Sequence, residues 1–162
     1  MMATPAVSHD VRIEPGTADQ IDAVMRVMDS AFGDRFGEAW TRSQLSGILP
    51  MAGVFLTLAL DSADESVIGF SLVRTIAGES ELLLIGVLPD VQRRGVGARL
   101  LDDFLERAGE DDVSRVHLEV RDGNPAIGMY RSAGFSPVGR RRNYYQALDG
   151  NRYDAITLSR EL

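Results

Sequence analysis

Alternating apolar and polar positions and short apolar runs predict the strands in this chain. The clearest case is the segment in which Val116, Leu118 and Val120 alternate with three polar residues, which is typical of a strand with one polar side. Other segments combine alternation or apolar runs with β-branched residues and end at turn residues. The predicted strands cover residues 11–13, 53–60, 67–75, 81–87, 116–121, 136–145 and 153–159.

Apolar residues at helical spacing predict four helices between these strands. Thr17 and Gln20 form a capping box at the start of the first helix, and Pro50 ends the second. Gly134 is placed to end the short fourth helix. The predicted helices cover residues 17–32, 40–49, 96–108 and a short segment ending near residue 133. This order of elements predicts an α/β fold, a mixed sheet with helices on its faces.

Length and composition favour one folded domain. The chain has 162 residues, of which 44% are hydrophobic, enough for a genuine core. The composition of residues 1–9 predicts a disordered tail, and residues 10–162 are predicted to form the domain. The start of the chain has no basic segment followed by an apolar run, and no segment approaches the ~20 apolar residues that span a bilayer. We therefore expect a cytoplasmic protein with no membrane partner.

Charge and reactive residue types narrow the possible functions. The net charge of -7 disfavours nucleic acid as a partner and favours neutral or cationic partners. There is no cysteine, so acyl transfer through an acyl-cysteine is excluded. The two histidines, His9 and His117, fall in the predicted tail and in a strand, so no metal site is predicted.

The segment from residue 82 to residue 101 carries the most specific pattern. It is predicted to be a buried strand, a loop rich in hydrogen-bond donors and the start of a helix. A helix N-terminus has unpaired N–H groups and a partial positive charge, and Gly95 and Gly97 would allow close approach, so the pattern suits a pyrophosphate. It fits neither a Walker A motif nor the Rossmann fingerprint. The alternative is that these glycines serve only chain reversal.

The pattern Gln92-x-x-Gly95-x-Gly97, after a strand that ends in Val87-x-Pro89, resembles the acetyl-CoA loop of the GNAT N-acetyltransferase superfamily. The resemblance implies a mixed, mostly antiparallel sheet of six to seven strands, splayed at the centre, with about four helices on its faces. It also implies acetyl-CoA as the acyl donor, with its pantetheine in the gap between the splayed strands. The implied donor contacts are Ile85, Gly86, Val87, Arg93, Arg94, Gly95, Val96, Gly97 and Ala98.

Motifs in the second half of the chain resemble the ribosomal-protein-alanine N-acetyltransferases of the RimI type. The resemblance is good over roughly residues 80–160 and loose in the N-terminal third. It implies Glu119 as general base and Tyr130 as general acid, and places Asn124 near the donor. It also implies that Arg142, Tyr144 and Tyr145 bind the acceptor. The motifs are residues 117–121, 124–130, 134–135 and 142–145.

Acid–base chemistry independently suits these two roles. An attacking α-amine, with a reference pKa of ~7.7 to 8.0, must lose a proton that a carboxylate can accept directly or through water. The departing thiolate needs a proton donor, and a tyrosine with a reference pKa of ~10 is protonated at neutral pH. The implied reaction is direct attack within a ternary complex, with an N–H of residues 85–87 polarising the thioester carbonyl.

Each candidate also has a purely structural interpretation. Glu119 is open to being a solvated strand residue paired with Arg121 or another nearby arginine, and Tyr130 to being a core aromatic. Residues 140–142, three arginines, suit a charged strand edge or contact with a phosphate or an acidic peptide. Because adjacent strand residues face opposite sides, we expect only one of the two tyrosines at 144 and 145 in the cleft and the other in the core. Trp40 is expected in the core rather than at a peptide entrance.

Two departures from the family pattern affect the donor site. The turn after Asn124 is one residue shorter than usual, which puts its donor contact in question. Residues 84–87 read Leu-Ile-Gly-Val where many relatives have Asn-Ile-Ala-Val, and Gly86 is expected to loosen the strand without removing its backbone donors.

The sequence favours an acetyl-CoA-dependent enzyme that acetylates the N-terminal α-amine of a protein, such as a ribosomal protein. One alternative is the same chemistry on lysine side chains, a small amine or an amino acid. Another is a non-catalytic module that only binds CoA. Nothing in the pattern demands more than a monomer or a weak homodimer.

Overall fold

The computed structural model describes residues 10–162 and contains one seven-stranded sheet with four helices. The predicted tail, residues 1–9, lies outside the described residues. The strands are β1 (Val11–Pro15), β2 (Val54–Asp61), β3 (Val67–Ile76), β4 (Glu79–Val87), β5 (Arg115–Arg121), β6 (Ser136–Gln146) and β7 (Arg152–Glu161). The helices are α1 (Ile21–Phe32), α2 (Arg42–Ile48), α3 (Val96–Glu110) and α4 (Ile127–Ser132). No helix among residues 10–162 has the length and apolar character needed to cross a bilayer.

The sheet is open at its centre. The strand order is β1-β2-β3-β4-β5-β7-β6, and every neighbouring pair is antiparallel except β4 and β5. The parallel pairing joins Glu79–Leu82 to Arg115–Leu118 and then stops. Beyond it, residues 84–87 remain paired with β3 and residues 119–121 remain paired with β7, but these two segments do not pair with each other. Leu83 lies at a register shift in the pairing with β3. The predicted mixed, splayed sheet is confirmed.

The two faces of the sheet carry different helices. On one face, α1 and α2 bury residues such as Val24, Met28 and Leu45 against β2, β3 and β4. On the other face, α3 and α4 cover a core that includes Leu118 and Val120 of β5. Side chains alternate along a strand, so the polar residues of β5 project toward the α1 and α2 face.

The start of α2 differs from the prediction. Trp40 was expected inside the helix, but α2 begins at Arg42 because Thr41 is its N-cap, with extended backbone and a side chain that accepts from the Gln44 N–H at 3.2 Å. Trp40 is half-buried and packs against the α1 and α2 core. The predicted capping box of Thr17 and Gln20 is present, at the start of a short 3-10 turn that leads into α1.

The strand β4 continues through Gly86. The strand runs unbroken to Val87, and Gly86 is buried in it. A Cβ at this position would lie 2.8 Å from the ring of Phe70, so the aromatic ring occupies the space of a side chain. The glycine is therefore required by packing in the core.

Candidate active site

Glu119 lies one residue beyond Leu118, the last position at which β5 pairs with β4, where the central gap begins. Its side chain is 14% exposed and forms an ion pair with Arg141, with 2.7 Å between Oε1 and Nε. The other oxygen, Oε2, is buried and has no hydrogen-bond partner among residues 10–162. Buried carboxylate oxygens normally accept hydrogen bonds, so this atom is open to a donor that the chain does not supply. Glu119 is thus mostly buried rather than solvated, while the arginine partner that the structural interpretation expected is present and is Arg141.

Tyr130 lies in α4, with its ring in the core and edge-to-face on Phe135 at 6.0 Å. Burial raises the pKa of the Tyr130 hydroxyl well above its ordinary value, and the nearby Tyr145 and the charge of Glu38 raise it further. The hydroxyl has no hydrogen bond among the described residues. The ring thus belongs to the core as the structural interpretation expected, while the hydroxyl remains a protonated donor at neutral pH.

Tyr145 points into the site, with its hydroxyl 3.5 Å from the carbonyl oxygen of Glu119. Burial raises its pKa, with further contributions from Glu38, Tyr144 and Glu119. One of the two tyrosines was expected in the core, and that prediction is wrong, because Tyr145 is half-buried and Tyr144 is exposed. Tyr144 is 51% exposed and stacks edge-to-face on Tyr145, with 5.0 Å between the ring centroids.

A bulge in β6 explains why the two tyrosine rings meet. Between the pairs formed by Arg141 and Tyr145, residues 142–144 stand opposite Asp154 alone. Asn143 has a φ of 53°, and its N–H donates to Asp154 Oδ1 at 2.9 Å. That bond and the ion pair with Arg140 hold the pKa of Asp154 below its ordinary value. The bulge breaks the strict alternation from which one tyrosine in the cleft and one in the core were predicted.

The three arginines of β6 have separate surroundings. Arg140 pairs with Asp122 at 2.7 Å and with Asp154 at 2.9 Å, and Arg141 pairs with Glu119. Arg142 is exposed at the bulge, close to Asp154. Of the three, Arg142 forms no ion pair among residues 10–162, and its contact with an acceptor stays a prediction.

The predicted donor loop lies at the N-terminus of α3. Gly95 is the N-cap residue with a φ of 80°, and no side chain caps the helix. Arg93 also has a positive φ, and both Arg93 and Arg94 are exposed. The first N–H groups of α3 are therefore not bound by a capping side chain. Val96 is buried in the core beneath the loop, Ala98 is exposed on the first turn, and Ile85 and Val87 lie on β4 beside the gap.

Asn124 uses its side chain within the protein. Its Oδ1 accepts from the Ala126 N–H at 2.8 Å, and its Nδ2 donates to Glu38 at 3.0 Å. Both ends of the amide are thus occupied, and contact of Asn124 with the donor stays a prediction.

Glu38 was not predicted as a site residue. It lies between α1 and α2, where no periodic pattern marks it. It nevertheless pairs with Arg121, and its charge raises the pKa of the Tyr130 and Tyr145 hydroxyls. The one sequence signal nearby is Gly37, whose φ of 73° and close approach to the Gln146 backbone require glycine.

The comparison with known families decides the classification. The sequence model of the protein family described as "Acetyltransferase (GNAT) family" matches residues 21–135. The chain belongs to the GNAT acetyltransferase family. The predicted family and its N-acetyltransferase class are thereby confirmed, and the match extends into the N-terminal third, where the resemblance was loose.

Curated relatives and solved structures agree with this family. The "[Ribosomal protein bS18]-alanine N-acetyltransferase" of Salmonella typhimurium is 38% identical over 106 residues, 65% of this chain and 70% of that protein. The "N-alpha-acetyltransferase RimI" of Mycobacterium tuberculosis is 44% identical over 91 residues, 56% of this chain and 54% of that protein. The crystal structure of the Escherichia coli ribosomal-protein-S18-alanine N-acetyltransferase matches with a TM-score of 0.84, 26% identity and 94% coverage of each chain. Arabidopsis thaliana NAA60 with a bisubstrate analogue shares the fold, with a TM-score of 0.80 at 16% identity, over 94% of this chain and 98% of that one.

Proposed function

We propose that this GNAT protein transfers acetyl from acetyl-CoA to the N-terminal α-amine of a polypeptide, in a ternary complex. The observation that carries the proposal is the buried Oε2 of Glu119, which has no donor among the described residues and lies where the sheet opens. An amine, or a water that bridges to it, would supply the missing hydrogen bond. The names of the relatives support a ribosomal protein as acceptor, which would be met in the cytoplasm.

The donor would bind along the α3 face of the gap. The uncapped N-terminus of α3, with residues 92–98 around it, suits the pyrophosphate, and the exposed Arg93 and Arg94 suit its negative charge. The unpaired backbone edge of residues 85–87 suits the amides of pantetheine. One N–H of this edge would polarise the thioester carbonyl.

The acid–base steps follow from the positions of Glu119 and Tyr130. The amine nitrogen forms a bond to the acetyl carbon and its proton passes to Glu119, directly or through water. The carbon–sulfur bond breaks, and Tyr130 gives its proton to the sulfur. Burial keeps Tyr130 protonated, so it retains the proton until the thiolate forms.

The acceptor would approach from the α1 and α2 face, toward which the Glu119 side chain projects. Tyr145 lines this approach beside Glu119, and the exposed Tyr144 and Arg142 lie farther out on the β6 bulge. An extended peptide entering here would meet aromatic rings near its first residue and a cation beyond them.

Replacing Gly97 by alanine should separate donor binding from stability. A Cβ at this position would lie 3.5 Å from the sulfur of Met129, an ordinary contact, so the protein accommodates it. Alanine in a helix should add about 0.5–1 kcal/mol to the free energy of unfolding. The same methyl group would obstruct the close approach of pyrophosphate, so the KM for acetyl-CoA should rise by about tenfold.

Gly109 provides the matched control near the other end of α3. A Cβ there meets nothing within 4 Å, so Gly109→Ala should also stabilise the helix while the KM for acetyl-CoA is unchanged. Thermal unfolding and initial rates measure both effects. An equal KM for acetyl-CoA in the two variants would contradict the assignment of the donor loop.

The acceptor class is tested by thiol release from acetyl-CoA with a set of amines. The set contains short peptides that differ in the first residue, an N-terminally blocked peptide with a lysine, free amino acids and polyamines. We expect turnover with free peptide N-termini only. Turnover with the blocked peptide or the small amines would replace the α-amine assignment, and acetyl-CoA binding without turnover would identify a binding module.

A further inference from the structure

Glu38 belongs to the segment of residues 33–41 that connects α1 to α2, here named the connecting segment. Its side chain is only 11% exposed. Oε1 accepts from Arg121 Nε at 3.0 Å, and Oε2 accepts from Asn124 Nδ2 at 3.0 Å. Both carboxylate oxygens are thus used by residues more than 80 positions away in the chain.

The connecting segment is attached to three strands around the candidate active site. Arg121, at the end of β5, is 9% exposed and lies over the ring of Phe36 at 3.6 Å. The same ring packs edge-to-face on Tyr153 of β7 at 5.1 Å. Gly37 lies so close to the end of β6 that a Cβ would be 2.1 Å from the carbonyl oxygen of Gln146. Glu38 provides the charged contact in this attachment, and it balances the buried guanidinium of Arg121.

The hydrogen bonds of Glu38 also continue to the helix that carries Tyr130. Asn124 donates to Glu38 and accepts from the N–H of Ala126, directly before α4. The direction of each bond is fixed, because the backbone N–H is a donor only, and so the Asn124 oxygen must face it. The Asn124 amide nitrogen must therefore face a hydrogen-bond acceptor at residue 38.

We infer that Glu38 is a positioning residue that fixes the connecting segment against β5 and the start of α4, and so forms the acceptor side of the site. The inference rests on the proposed function. The negative charge of Glu38 lies close enough to Tyr130 and Tyr145 to raise the pKa of both hydroxyls, so the attachment is next to the reacting groups. Glu38 acts through Arg121 and Asn124, and both of its oxygens are already occupied by them.

The Glu38→Gln variant tests this role. The oxygen of the glutamine amide can still accept from Arg121, but its NH2 group then faces the NH2 group of Asn124, which is also a donor. The Asn124 amide cannot rotate by half a turn to correct this, because its NH2 group would then face the Ala126 N–H. We expect the KM for the acceptor peptide to rise by about tenfold while the KM for acetyl-CoA stays within about twofold. Trp40 is the only tryptophan in the chain and lies two residues from position 38. Acrylamide should therefore quench its fluorescence more strongly in the variant than in the native protein.

A compensating variant separates positioning from direct contact with the acceptor. Asn124→Asp added to Glu38→Gln exchanges the carboxylate and the amide, so every hydrogen bond in the chain of contacts regains a donor and an acceptor. This double variant should recover the acceptor KM to within about threefold and restore the Trp40 protection. As the matched control, Glu81→Gln also removes a carboxylate paired with an arginine, Arg74, but should leave all three readouts unchanged.

An unchanged acceptor KM or an unchanged Trp40 quenching in Glu38→Gln would overturn the inference. So would a double variant that restores Trp40 protection but not the acceptor KM, since that result assigns Glu38 a direct contact with the acceptor. The Trp40 measurement needs no acceptor. If no peptide is acetylated by the unaltered protein, the proposed function fails while the attachment of the connecting segment is still tested.

Discussion

Replacing Glu119 by glutamine should lower kcat by about 100-fold or more, the range expected for loss of a general base. The amide has the shape of the carboxylate and keeps an oxygen for Arg141. Because Arg141 is 63% exposed, loss of the ion pair should change the free energy of unfolding little. At Oε2 the variant places a donor where the native oxygen has no partner. The fold should therefore persist while proton acceptance is lost, as kcat and thermal unfolding would show.

The pH dependence of this variant gives a second check. An α-amine loses its own proton above its pKa of about 8, so the defect of Glu119→Gln should become smaller as the pH rises through that value. Glu81→Gln, the paired carboxylate on β4, should keep the native rate throughout. If Glu119→Gln retained a third or more of the native kcat, the proton acceptor would have to be another group.

Replacing Tyr130 by phenylalanine should lower kcat by about 100-fold with little change in either KM. The ring and its contact with Phe135 remain, and the hydroxyl has no hydrogen bond among the described residues, so stability should change little. Because the pKa of Tyr130 is raised, the group stays protonated at high pH. The native kcat should therefore show no loss of a proton donor up to about pH 10, where an ordinary tyrosine ionises.

A donor with a better leaving group distinguishes acid catalysis from a structural effect. A selenol is a stronger acid than a thiol, so the selenoester analogue of acetyl-CoA releases its leaving group without help from a proton donor. The defect of Tyr130→Phe should shrink markedly with that analogue. A defect of equal size with both donors would mean that Tyr130 positions the substrates and does not donate a proton.

Local patterns predicted the elements of this fold because β4 and β5 alternate buried and more exposed positions, while β2 and β3 are short runs buried on both faces. The alternation in β5 and the apolar spacing of α1 and α3 depend on neighbours in sequence, which the chain itself displays. The boundary of α2 was predicted less well. Trp40 has an apolar side chain that suits the core, but the hydroxyl of Thr41 determines where the helix begins.

The site was predictable only where a motif encodes it. Glu119 and Tyr130 could be predicted because they lie in short segments that resemble a known family. The residues that surround them in the structure could not be predicted in this way. The partner of Glu119 is Arg141, which the pairing of β5 with β7 and of β7 with β6 brings near it. Glu38 meets Arg121 across 83 residues of chain, and no local period can indicate such a contact.

The open centre of the sheet has an evolutionary consequence. Residues 83–87 and 119–121 present backbone groups at their facing edges, and every amino acid except proline carries the same backbone donor and acceptor. A donor that binds these groups, as proposed, makes few demands on side chains, which are left to satisfy the core, as Gly86 does for Phe70. Such a site can persist while its sequence changes, and it is consistent with the same fold recurring here at 16 to 26% identity.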